Sequence, residues 1–273
     1  MLASMVKCFE AQTYQNKWLY ILDDSGQFDN YTNESEKWCI RNTKSRFSET
    51  TGYDKAERCK NLSEKFNTLF YMATDTLDYY WRSNPYIEER KTLISIWEDD
   101  DVYLPHHLER ISNIWIDDPL INYQFIYPTK VYSNYGCPKD GDKLIKEDST
   151  GRFHASWAYT VPLFKAVGGY RGEGRLTFDQ EMRRDCLQII NQYKDNSPDN
   201  TIGMERRITL PIPSYVYRWG SGPYNGSQAG DSGFEQLQKD LEEMPCEYVG
   251  RLNPDFDEET RRVYQRYFDG DLP

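Results

Sequence analysis

The run Trp97-Glu98-Asp99-Asp100-Asp101-Val102-Tyr103-Leu104-Pro105 sets four adjacent carboxylates between two ordered elements. The residues before it, Thr92-Leu93-Ile94-Ser95-Ile96, are β-branched or apolar for the most part and predict a buried strand. Leu104-Pro105 and the helical spacing that follows predict the start of a helix. Like charges this close repel one another, and a compact site holds them best when a cation offsets the repulsion. Hard carboxylate oxygens suit Mg²⁺ or Mn²⁺, commonly alongside phosphate oxygens of a substrate. The plainer alternative is a solvated acidic turn, but the apolar strand before it and the Tyr-Leu-Pro after it favour a built site. A second candidate is Asp179, at the start of a predicted helix. A carboxylate is favoured there by the helix dipole, so a capping role and a chemical one both fit the position.

The elements that must present these groups follow from periodicity. Leu2, Met5 and Phe9 share a stripe, which predicts an amphipathic helix over residues 1–13. Lys17 to Leu22 reads as a strand ended by Asp23-Asp24-Ser25-Gly26. Residues 27–53 read as a polar excursion around a short strand, Lys37 to Ile40. Leu62, Phe66, Leu69 and Phe70 predict a helix over about 55–73. After the acidic run, Leu108, Ile111 and Trp115 predict a helix, and Tyr123 to Tyr135 predicts one or two strands. Residues 137–151 read as a polar hairpin tip or flap. Phe153 to Val161 is strand-like. Pro162 to Val167 predicts a short helix capped by Gly168-Gly169, and Asp179 to Ile190 a longer one with Met182, Cys186 and Ile189 on one stripe. Tyr215 to Trp219 predicts a late strand, followed by a glycine-rich loop over 220–233 and two short charged helices. The order predicts an α/β fold, with a domain over 1–220 and a C-terminal extension over 221–273.

Composition narrows the chemistry. The chain has 273 residues and a net charge of −11, with a pI of about 4.9. That charge argues against nucleic acid or an anionic membrane as the main partner, although a bound divalent ion could still recruit an anionic substrate. The 22 Tyr, 12 Phe and 7 Trp supply large groups for a core. The six cysteines are scattered, without a C-x-x-C pair, so reduced thiols and a cytoplasmic location are expected. Three histidines make a histidine-based metal centre improbable. No stretch has the length and apolarity of a transmembrane segment.

Several motifs, taken in order, resemble family 2 glycosyltransferases. Cys8-Phe9-Glu10-Ala11-Gln12-Thr13-Tyr14, followed by Leu19-Tyr20-Ile21-Leu22-Asp23-Asp24-Ser25-Gly26, is similar to that family's opening helix, strand and D-D-S-G turn. Glu98 to Asp101 with Leu104-Pro105 resembles its DXD region. Ala166-Val167-Gly168-Gly169-Tyr170 resembles its V-G-G-[FY] segment, and Phe178-Asp179 stands where its E-D pair is expected. The match begins at the family's first helix, without the strand that normally precedes it. The resemblance implies a GT-A nucleotide-binding sandwich around a mixed, mostly parallel sheet. It further implies an inverting transfer from a nucleotide-sugar donor to a glycan, lipid-linked or protein acceptor, assisted by Mn²⁺ or Mg²⁺.

By that resemblance Asp23, Asp24, Lys65, Asn67 and Asp99 would line the nucleotide. Asp100 and Asp101 would hold the metal, and Asp179 would be the general base. Trp157, His154, Arg218 and Trp219 would lie by the donor or acceptor sugar, the tryptophans stacking on it and Arg218 pairing with phosphate. Against this, Trp157 and Trp219 could be core residues, and His154 a structural hydrogen-bonding group. The chemistry suits these residue types: a diphosphate leaving group needs a cation, and the acceptor hydroxyl needs a nearby base. The competing readings are a GT-A-like module that binds without turnover, and a metal-dependent phosphohydrolase that would not need Asp179.

Overall fold

The computed structural model describes residues 2–33, 35–43, 55–83, 91–99, 101–118, 120–133, 144–149, 151, 153–172, 177–195, 202–209, 213–217 and 248–249. These form a mixed α/β structure of three sheets. Helix α1 (Leu2–Glu10) buries Met5 and Phe9 of the stripe its spacing predicts, and Cys8 beside them. Strand β1 (Leu19–Asp23) pairs in parallel with β3 (Trp38–Asn42), and β2 (Tyr31–Asn33) closes that sheet in antiparallel. Met5, Phe9 and Leu19 pack together with Trp97 and Leu108, tying this sheet to the acidic run.

Helix α2 (Lys55–Ser83) outruns its predicted end at residue 73. Ala73 and Thr74 are buried, so the inward face continues past Phe70. Phe70 stacks on Phe164 with ring centroids 3.6 Å apart, fastening α2 to the centre of the molecule.

The second sheet runs β10-β6-β9-β4. Strand β4 (Leu93–Ser95) and β6 (Tyr123–Pro128) both pair antiparallel with β9 (Ala158–Thr160), and β10 (Gly203–Ile208) lies parallel to β6. The third runs β12-β8-β7-β11-β5, built from β5 (Val102–Tyr103), β7 (Lys130–Ser133), β8 (Leu144–Asp148), β11 (Tyr215–Tyr217) and β12 (Tyr248–Val249). Among the described residues six pairings are antiparallel and three parallel. The expected mostly parallel sheet is thereby corrected. Strands β7 and β8 pair as a hairpin, and β9 enters between β6 and β4 running against both.

Strand β10 was not foreseen. Its sequence, Gly-Met-Glu-Arg-Arg-Ile, carries three charged residues and so lacks an apolar signature. It is placed by helix α5 (Phe178–Asp195), which crosses so closely that a Cβ on Gly203 would stand 2.6 Å from the Ile190 backbone. Leu104-Pro105 also departs from expectation. The chain first pairs Val102 and Tyr103 with β11, and helix α3 (His107–Ile114) starts only afterwards.

Helix α4 (Val161–Val167) opens with Pro162 in its first turn and ends as predicted. Gly168 takes φ 83° and its N–H reaches the carbonyls of Phe164 and Lys165, the left-handed cap that glycine adopts without strain. Helix α5 buries Met182, Cys186 and Ile190. Most of the proposed 221–273 extension, including its expected helices, lies outside the described residues. Among the described residues no helix is long and apolar enough to cross a membrane.

Candidate functional site

Two acidic segments and one helix start converge around a cluster of aromatic rings. The first segment follows β1. Asp23 is buried, and its carboxylate is filled by its own loop. Oδ1 accepts from the Ser25 amide at 3.0 Å, the Ser25 hydroxyl at 2.6 Å and the Gly26 amide at 3.1 Å. Oδ2 accepts from the Phe28 amide at 2.9 Å. Desolvation pushes the Asp23 carboxyl up, but the hydrogen bonds from Ser25, Phe28 and Gly26 outweigh it and hold the group below its usual range. In this structure Asp23 orders the turn, with three bonds on Oδ1 and one on Oδ2. Its neighbour Asp24 projects outward and pairs with Lys65 of α2.

The second segment is the acidic run. Trp97 stacks on Tyr103, centroids 3.7 Å apart, and the Glu98 amide donates to the Tyr103 hydroxyl at 2.7 Å. These contacts fold the run back over Tyr103. Asp101 is thereby turned into the core, 3 % exposed, where it accepts a hydrogen bond from the Tyr215 hydroxyl. Burial, and then the charge of Asp101, pushes the Tyr215 hydroxyl well above its usual range. An inward, bonded carboxylate is poorly placed for an ion that shares its sphere with substrate, and the expected metal role of Asp101 is corrected to one of anchoring the run.

Asp99 keeps an exposed surface. Its carboxyl is nevertheless raised, first by desolvation and further by the charges of Glu98 and Asp24. Asp24 and Asp99, from the ends of different sheets, are thus near enough to feel each other. Asp100 lies outside the described residues. Among the described residues no group of three histidine, cysteine or acidic side chains gathers to hold an ion.

The third component is the turn after α4. The Asn67 side chain binds both backbone groups of Tyr170: Nδ2 donates to its carbonyl at 3.0 Å, and Oδ1 accepts from its amide at 2.8 Å. Gly169 stands at φ +85°, and a Cβ there would lie 2.6 Å from Asn67 Oδ1. Asn67 therefore clamps the turn, while Lys65, two residues before, holds Asp24.

Tyr170 in turn meets His154. His154 sits among Phe66, Trp157, Tyr170 and Phe178, each ring centroid within 5.5 Å. Its Nδ1 lies 2.8 Å from Glu98 Oε1 and its Nε2 2.8 Å from the Tyr170 hydroxyl. Both nitrogens are engaged and the ring is buried, which favours the structural reading of His154 over contact with a sugar. Trp157 is fully buried, with Phe125 and His154 edge-on to it, so its expected stacking on a sugar is likewise corrected to a core role.

Phe178 stacks on Phe66 and brings the first turn of α5 to this cage. Asp179 follows it, half-buried, with the Gln180 side-chain Nε2 donating to Oδ2 at 3.0 Å. Arg218 and Trp219 lie outside the described residues. The sequence reading missed Glu98 and Tyr170 as partners of His154, and Tyr215 as the partner of Asp101. Glu98, in the acidic run, and Tyr170, in the Gly-Gly-Tyr segment, lay in marked motifs, whereas Tyr215 carried no signal of its own. Compared with known protein families and with curated proteins, the chain matches no family model and no protein.

Proposed function

We propose that this chain is a glycosyltransferase that moves a sugar from a nucleotide-diphosphate donor to an acceptor hydroxyl, assisted by Mn²⁺ or Mg²⁺, on a GT-A-like nucleotide-binding fold. The observation that carries the reading is the exposed placement of Asp24, held by Lys65 of α2, and of Asp99, at the ends of β1 and of the segment after β4. The Asp99 carboxyl is raised, chiefly by desolvation and further by the charges of Glu98 and Asp24, and a cation beside it would offset that cost.

Asp99 and Asp100 would hold the cation, which supplies charge to the departing diphosphate. Asp24, steadied by Lys65, is the outward group for the nucleoside. Asp179 would take the proton of the acceptor hydroxyl, a contribution of about 10²–10⁴-fold for a well-placed base. The acceptor is a glycan, a lipid-linked sugar or a protein.

A second reading, a module that binds nucleotide sugar without turnover, is favoured by two features. Phe178 fills the cage where the resemblance expects a glutamate, and Asp101 is turned into the core. The experiment is thermal unfolding with a panel of nucleoside diphosphates and nucleotide sugars, with and without Mn²⁺, on wild type, Asp99→Ala and Asp100→Ala. Ligand at a hundred times its Kd stabilises by about 2.7 kcal/mol. A Mn²⁺-dependent rise in Tm for one nucleotide, lost in both variants, supports the site. No rise for any nucleotide refutes it. Binding with neither transfer nor donor hydrolysis selects the second reading.

A further inference from the structure

The proposed reaction makes no use of a hydrogen-bonded chain that crosses the centre of the molecule. It runs from Glu98 to His154 at 2.8 Å, from His154 to Tyr170 at 2.8 Å, and from Tyr170 to Tyr159 at 3.3 Å between hydroxyls. Its first donor direction follows from the groups. An ionised Glu98 only accepts, so Nδ1 of His154 carries the proton and donates. Nε2 and the Tyr170 hydroxyl share the second bond, and the hydroxyls of Tyr170 and Tyr159 share the third. With both ring nitrogens engaged, the ring angle is fixed.

What the chain joins matters more than its length. Glu98 precedes Asp99 in the acidic run. Tyr170 is the residue whose backbone Asn67 clamps, and Asn67 follows Lys65 by two positions on α2. The His154 ring also meets Phe178, centroids 5.3 Å apart and edge-on, one residue before Asp179. One imidazole thus touches the acidic run, the turn after α4 and the first residue of α5. A phenylalanine would fill the aromatic cage equally well but could hold neither Glu98 nor Tyr170.

We propose that His154 is a positioning residue that fixes the acidic run against the start of α5, through Glu98 on one side and Tyr170 on the other. The linkage stands on the geometry alone; its consequence for nucleotide binding rests on the function proposed above.

The test is amide hydrogen exchange on the full chain, comparing wild type with His154→Phe, His154→Gln and Tyr170→Phe. His154→Phe is expected to speed exchange at Glu98 to Val102 and at Gly168 to Arg171 at least tenfold, while β6 and β10 stay protected. His154→Gln, whose amide can donate to Glu98 and accept from Tyr170, should restore most of the protection. Where wild type binds a Mn²⁺-nucleotide, His154→Phe should weaken it at least tenfold and the glutamine variant much less. Unchanged exchange in the acidic run of a folded His154→Phe overturns the proposal. Should that variant fail to fold, ¹⁵N NMR of the wild-type imidazole decides: a ring with its proton on Nδ1, alone or on both nitrogens, supports the linkage, and a ring bare at Nδ1 overturns it. A wild type that binds no nucleotide removes the proposed function, yet the exchange result still decides the role of His154.

Discussion

Acidification should loosen the floor of the acidic run through His107. This residue opens α3 and is fully buried, against Tyr103 at 5.2 Å, Trp97 at 6.0 Å and Tyr215 at 6.3 Å between ring centroids. Nδ1 lies 3.1 Å from the Ser214 hydroxyl, and Nε2 has no hydrogen-bond partner among the described residues. A proton on Nε2 would bury a charge without an acceptor. Desolvation, with smaller contributions from His106 and Arg110, holds the ring down to about 3, against 6.5 for a free imidazole.

The unfolded chain therefore binds one more proton than the folded one between those two values. Stability from this residue is complete above about pH 6.5 and falls as pH drops toward the folded value. The slope is about 1.4 kcal/mol per pH unit, so lowering pH from 6.5 to 5 costs about 2 kcal/mol. At roughly 2–4 °C per kcal/mol for a chain of this size, Tm should fall by about 4–8 °C from this group alone. Other groups titrate as well, so the measurement is the difference in Tm slope between wild type and His107→Asn from pH 5 to 7. The variant's slope should be shallower by one proton. Equal slopes would refute the reasoning, as would an NMR titration in which the His107 ring protonates near pH 6.5.

Asn67→Ala removes both clamps on the Tyr170 backbone and should cost about 1–3 kcal/mol in denaturant unfolding. Gly169→Ala meets a left-handed φ and the Asn67 side chain together, so about 1–2 kcal/mol of backbone strain should be joined by a further loss from displacing that side chain. Lys65→Met separates stability from function. The pair with Asp24 is partly exposed, so unfolding should shift by no more than about 1 kcal/mol while the affinity for nucleotide falls.

Periodicity located α1, α4, α5 and the helix after the acidic run because each buries a face at helical spacing, and the Gly168 cap followed from residue type alone. The sequence also marked the segments that converge: Asp24, Lys65, Glu98 to Asp101, Gly169-Tyr170 and the start of α5. It could not say which carboxylate of each acidic pair or run faces out. Asp23 and Asp24 are identical in type, and only the turn that wraps Ser25, Gly26 and Phe28 around Asp23 sends Asp24 outward. Asp99 and Asp101 are two positions apart, and Tyr215, over a hundred residues away, decides which is buried. The charged strand β10 and the antiparallel entry of β9 were equally hidden, because pairing depends on neighbours distant in the chain. Local periodicity is a property of one segment and survives in its sequence. The direction of a side chain, the partner of a buried polar group and the order of strands belong to pairs of segments, and only the tertiary structure brings those pairs together.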